Sequence, residues 1–357
     1  MKITFFRRSH CRPFSLALVA WVVVLVFNSS CSSTQKVHFP TSNWVANEQV
    51  SAKTDSSVLR QIDSIMQKAH ANGILIRDGF VVGEWTYDKP LETKIEVQSI
   101  TKSVVSLLLG IALDEKKIAN INDKVYTYFP AFDVGPYTKD ITFKHLVTVS
   151  SGIEAKKHGY NYGNPGNMQP GVEARYHNDH FDQLARALTY IFDESLLDVL
   201  KSRVLAVLGA EVEWRADGEV VSKSGARIPV NAGYAFIKWS APDLAKFGYL
   251  YLNNGSWNGK QLVSKEYVKA TMTPIDIPLM VSRPNQPVRE DVNNTYGYGW
   301  RGIKRNDGVL WYASGNGGQF CAVIPEKRTV FVKINGYGEK YRPFRGLSVF
   351  KDLLQKL

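Results

Sequence analysis

No Gly-x-Ser-x-Gly occurs in the 357 residues, which argues against the nucleophile elbow of an α/β-hydrolase triad. Zinc-finger spacing and nucleic-acid recognition motifs are also absent, and no repeat stands at solenoid periods. The net charge of +11 comes from lysines and arginines interspersed with acids rather than clustered. That pattern describes a solvated surface, so no nucleic-acid partner is expected. What remains is an ordinary globular composition, 44% hydrophobic and 22% charged, long enough to bury a large core.

Cysteine is scarce, being confined to positions 11, 31 and 321. Basic residues Lys2, Arg7, Arg8 and Arg12 surround the start of the apolar run Phe14 to Phe27, and Asn28-Ser-Ser-Cys31 follows. This is the pattern of an export signal over residues 1–30, its apolar run being short of the roughly twenty residues a membrane span needs. Cys31 resembles the lipidated cysteine of a bacterial lipoprotein, although Asn28 stands where such sites usually carry leucine. Lipidation, ordinary cleavage and an uncleaved anchor all stay open, and the expected place is the periplasm or a lipid anchor on the envelope. With Cys31 lipidated, Cys321 is a lone thiol and no intrachain disulfide forms.

Residues 31–55 are polar and without apolar period, as in a flexible tether, so the folded domain is expected over 56–357. A helix is predicted from Asp55 to His70 behind a cap-like Ser56, then a hairpin of 73–77 and 80–87 about Asp78-Gly79. Residues from about 99 to 270 read as a mainly helical insert with irregular loops, one of them at 158–171. Strands follow at 296–301, 309–313, 319–324 and 329–334, and a helix at 344–357. The expected class is α/β of the α+β kind, in which N- and C-terminal strands share one antiparallel sheet flanked by helices.

Ser-x-x-Lys occurs at Ser33, Ser99 and Ser348, so the spacing alone carries little. Ser99 differs because the residues after it, Val104 to Leu113, are apolar on every helical face, the mark of a buried helix. At i and i+3, Ser99 and Lys102 share one face at a helix start, where free N–H groups favour a developing oxyanion. Two readings follow: Ser99 is an N-cap and Lys102 reaches solvent, or they are a nucleophile and its proton partner.

Ser99-Ile-Thr-Lys-Ser, Ile121-Asn-Asp-Lys-Val125, 141–153, Pro170-Gly-Val-Glu-Ala-Arg-Tyr-His-Asn178, 241–252 and Ser314-Gly-Asn-Gly-Gly-Gln319 together resemble the serine β-lactamase-related hydrolases. The nearest branch is the class C type with its esterases and 6-aminohexanoate-dimer hydrolases, and the resemblance covers roughly 56–357. It implies the penicillin-binding-protein-like fold and an acyl-enzyme on Ser99. The family's Tyr-x-Asn matches at Tyr162, Tyr176 and Tyr251, and its place just before a helix favours Tyr176 with Asn178. Its Lys/His-Thr-Gly strand aligns with Ala313-Ser314-Gly315, so the cation is missing, and Asn316 aligns with the second oxyanion donor.

The resemblance implies hydrolysis of a small ester or amide, with no cofactor or metal. The missing cation weighs against the alternatives of a cell-wall D-Ala peptidase or β-lactamase; a non-catalytic ligand-binding protein is the further alternative. Lys102 is ordinarily protonated up to about pH 10.4, and making it a base requires a differential stabilisation of about 4 kcal/mol. A charged Lys102 favouring tyrosinate at Tyr176 is the other route. The string Gly297-Tyr-Gly-Trp-Arg-Gly302 imitates a dinucleotide fingerprint without the helix that motif needs. His177 and His180 are expected to be a solvated pair rather than metal ligands, and His145 a hydrogen-bonded structural histidine.

Overall fold

The computed structural model describes residues 37–41, 43–87, 89–155, 168–281, 289–335 and 346–357. The signal, Cys31 and Tyr162 lie outside the described residues. Helix α1, Ser56–Ala69, buries Val58, Ile62 and Met66 on one face. Its cap is Asp55 rather than Ser56: the Asp55 carboxylate accepts from the Ser57 N–H at 2.7 Å. Strands β1, Asn72–Arg77, and β2, Phe80–Trp85, pair about Asp78 and Gly79, both at positive φ, as the Asp-Gly signal predicts.

The apolar helix α2, Thr101–Asp114, is buried at every residue from Thr101 to Ala112. Helix α3, Asp179–Phe192, and helix α4, Ala241–Leu252, lie in the predicted insert. The insert is less helical than expected, since it also holds the hairpin Ala216–Val221 with Arg227–Asn231. Helix α4 is capped by Ser240, whose Oγ accepts from the Asp243 N–H at 3.3 Å. Ser240→Ala is expected to cost about 1 kcal/mol, read as a lower urea midpoint.

Strands β3, Asn294–Tyr296, β4, Arg301–Arg305, β5, Gly308–Gly315, β6, Gln319–Ile324, and β7, Thr329–Ile334, complete the sheet, and α5, Lys351–Lys356, ends the chain. The seven-stranded sheet runs β3-β4-β5-β6-β7-β1-β2 with every neighbouring pair antiparallel, joining both ends of the chain as expected. Helices α1 and α5 cover one face through Ile62, Met66 and Leu354 against Phe320 and Phe331. Helix α4 and the insert cover the other. Gly248 lets α4 come close to the sheet, since a Cβ there would stand 2.6 Å from Cys321 Sγ.

Two expectations are corrected. The folded body begins before residue 56: Val37–Leu357 form one unit, a short helix runs over Glu48–Ala52, and Trp44 is buried in the main core. Trp44 donates its indole N–H to Pro242 O at 2.9 Å, which fastens this polar stretch to α4. The strand predicted at 296–301 is instead a turn between β3 and β4. Gly297 would drive a Cβ to 2.0 Å from Thr271 O, and Gly299, at φ +75, would meet Lys102 O and the Ser106 Cβ at 2.9 Å. The two glycines thus serve close approach, Gly297 to Thr271 and Gly299 to α2, rather than a phosphate.

Candidate active site

Ser99 sits in the 3-10 turn Gln98–Ile100 that leads into α2. Gln98 ahead of it adopts φ +54, a left-handed conformation costing about 1–2 kcal/mol for a non-glycine residue. The turn is held by Val97 N–H to Ile237 O at 2.8 Å and by Thr101 Oγ1 to Gln98 O at 2.7 Å. Neither the turn nor α2 has a side-chain cap, so Ser99 does not cap the helix.

Lys102 is 1% exposed, which removes the reading of a solvated charge. Its Nζ donates to Ser99 Oγ at 3.0 Å, Asn178 Oδ1 at 2.9 Å and Tyr234 O at 2.9 Å. As an ammonium, Lys102 spends all three hydrogens there. As a free amine it keeps two for the carbonyl oxygens of Asn178 and Tyr234, which can only accept. The lone pair then faces the only partner of the three able to donate, Ser99. Burial pulls the Lys102 pKa below the usual lysine range, and Arg301 adds to that; Tyr176 and Asp179 oppose it.

Tyr176 follows the short strand Ala174–Arg175, which pairs in parallel with Leu279–Val281. Lys102 Nζ lies 5.0 Å from the centre of its ring, and the Arg301 Cζ 4.1 Å. Burial raises the phenol, but Lys102, Arg301 and contact with Ser99 outweigh it and bring Tyr176 down to about 8. Asn178 occupies the N-cap of α3 without capping it; its Oδ1 instead accepts from Lys102 Nζ.

Gly315 brings the end of β5 onto the Ser99 turn: a Cβ there would stand 2.2 Å from Val97 O. Beyond it, Gly317 and Gly318 take φ of 89 and 86, Asn316 Oδ1 accepts from the Gly317 N–H at 2.9 Å, and Lys333 Nζ donates to Gly318 O at 3.1 Å. Ser314 is half-buried and Asn316 exposed. Ala313 is fully buried in the core cluster that holds Val97 and Ile100, so a methyl group fills the position aligned with the family's cation.

Ser99, Lys102, Tyr176 and Asn178 are therefore brought together directly, while Gly315, between Ser314 and Asn316 in the chain, adjoins the Ser99 turn at Val97. Tyr251, the rival Tyr-x-Asn match among the described residues, is buried in the hydrophobic core. His177 and His180 are not solvated: both are buried, their rings 3.7 Å apart, and His180 Nδ1 lies 2.8 Å from Ser151 Oγ. Burial and His177 hold His180 well below the usual histidine pKa. Among the described residues no three His, Cys, Asp or Glu side chains are grouped to hold a metal. His145 caps its own helix start, exchanging hydrogen bonds with Thr142 at 3.1 and 3.2 Å.

Sequence reasoning missed Tyr234 and Arg301. The first contributes a backbone carbonyl, which no side-chain pattern marks. The second sits in the string that imitates a dinucleotide motif, where only the register of β4 would have signalled it.

A family model described as Beta-lactamase matches residues 63–344. No curated protein matches the chain. Among solved structures, the chain is similar to a Bacillus anthracis protein assigned as a 6-aminohexanoate-dimer hydrolase, at 17% identity and a TM-score of 0.65, covering 83% of this chain and 82% of that one. It is similar to the octameric penicillin-binding protein homologue from Pyrococcus abyssi, at 21% identity and a TM-score of 0.61, covering 83% and 77%. A β-lactamase from Mycobacterium bovis is 18% identical with a TM-score of 0.59, covering 83% and 99%. At these identities the likeness shows the fold.

Proposed function

The chain belongs to the β-lactamase family and has its serine-hydrolase fold, and from that premise we propose that it hydrolyses a small ester or amide through an acyl-enzyme on Ser99. The observation that carries this reading is the 3.0 Å contact between Ser99 Oγ and the Nζ of a buried lysine whose pKa is lowered. A serine hydroxyl attacks a carbonyl only when a base takes its proton. Free-amine Lys102 or phenolate Tyr176 takes it. The N–H groups of Ser99 and Asn316 then hold the oxyanion, and Lys102 with Tyr176 returns the proton to the leaving group. A water, deprotonated in turn, releases the acid.

Treatment with a fluorophosphonate is expected to add one probe mass at Ser99 in the wild type and none in Ser99→Ala. Short esters and amides tested alongside define the substrate, and penicillin is expected to leave no adduct because Ala313 offers no cation to its carboxylate. A folded wild-type protein that takes no label and hydrolyses none of the panel would overturn the reading.

A further inference from the structure

We propose that Arg301 is a positioning residue whose guanidinium, lying on the Tyr176 ring, favours the phenolate, one of the two bases open to the proposed reaction. This rests on the hydrolase reading above. Arg301 pairs across β3 with Tyr296 and across β5 with Tyr312, so the three stand in a row over three strands. Its Cζ lies 4.1 Å from the Tyr176 ring centre, nearer than Lys102 Nζ at 5.0 Å, while Tyr296 meets the same ring edge-on at 6.0 Å.

Arg301 makes no ion pair with a carboxylate among the described residues, and the groups that favour its charge are Tyr176, Tyr312 and Tyr296. A half-buried guanidinium without a carboxylate is stabilised most by an anion made beside it, and a planar cation lying on a phenol favours the phenolate. The groups facing Tyr176 are Lys102 from α2, Arg301 and Tyr296 from the sheet, and Tyr312 behind Arg301. His177 and Asp179 follow on its own segment. Burial raises Tyr296 and Tyr312 above their ordinary range, leaving Tyr176 the phenol that ionises first.

The test uses the full chain as wild type, Arg301→Met, Arg301→Lys and Tyr176→Phe. Phenolate absorbance near 295 nm is titrated, and the wild-type minus Tyr176→Phe difference isolates Tyr176. In Arg301→Met that difference is expected to move upward by at least about one pH unit, with Arg301→Lys between it and wild type. The acid limb of kcat/KM for p-nitrophenyl acetate is expected to move with it, a fall of about tenfold at neutral pH. Arg301→Lys keeps the charge and decides the matter should the methionine variant not fold. A titration and limb unchanged in either variant, or a rise in KM alone, would overturn the proposal. Because the absorbance titration needs no turnover, it judges Arg301 even where the fluorophosphonate result refutes the hydrolase.

Discussion

Lys102→Met is expected to lower kcat/KM for a short ester by about four orders of magnitude, and Lys102→Arg to do no better. The two substitutions fail for different reasons. Methionine removes the group that faces Ser99 Oγ, whereas arginine keeps a charge that does not leave at any working pH. An active Lys102→Arg enzyme would show that the lysine acts as a fixed charge and that the proton goes elsewhere. Stability moves in two opposed directions. Methionine relieves the burial of a charge, but it leaves Asn178 Oδ1 and Tyr234 O without the donor they now have at 2.9 Å. Thermal melting beside the activity assay separates lost chemistry from lost fold.

The pH sign follows from the same pair. Lys102 is lowered by burial, and Tyr176 is brought to about 8 against its own burial by Lys102 and Arg301. Whichever of the two takes the Ser99 proton, activity falls in acid, and with Tyr176 as the base it rises as pH passes through about 8. For stability the two act in the same direction. The Tyr176 contribution is present above its ordinary pKa and lost as pH falls through about 8, and the penalty of the buried Lys102 ammonium is likewise felt in acid and relieved as pH rises.

Gly299→Ala carries the second large effect, a destabilisation of about 3 kcal/mol read from urea unfolding. Its φ of +75 is strained for alanine, and the added Cβ would meet Lys102 O and the Ser106 Cβ at 2.9 Å. The turn cannot simply retreat, because Gly299 O accepts from Ser103 Oγ, and Tyr298 O from Ser106 Oγ, each at 2.7 Å. Since α2 carries Lys102, the displaced turn is also expected to lower kcat. An alanine variant with wild-type urea midpoint and activity would show that this contact yields freely.

What was legible in the sequence were features written in local pattern. The all-round apolar run fixed α2 as a buried helix, Asp78-Gly79 marked its hairpin, and the position of Tyr176 before α3 chose it over Tyr251. Features that depend on distant partners stayed hidden. Trp44 lies in a polar stretch and declares itself only through Pro242 on α4. Residues 297–300 carry strand-like aromatics, yet turn because two glycines must meet α2 and Thr271. Arg301 gained a role from the pairing of β3, β4 and β5, and the Tyr234 carbonyl from a backbone path. The buried histidine pair reads as polar in sequence because burial here comes from α3 lying against Ser151.

The placement of β1 beside β7 sets an order on the making of this protein. Asn72 pairs with Ile334 and Arg77 with Thr329, so one strand waits for a partner some 250 residues later in the chain. During synthesis the β1–β2 hairpin therefore presents an unpaired edge, with Ile74, Leu75 and Ile76 uncovered, until β7 has emerged. Helix α5, which follows β7, joins α1 on the same face. Chains cut short before β7 are left with that edge exposed, and they are the species a chaperone or protease would meet.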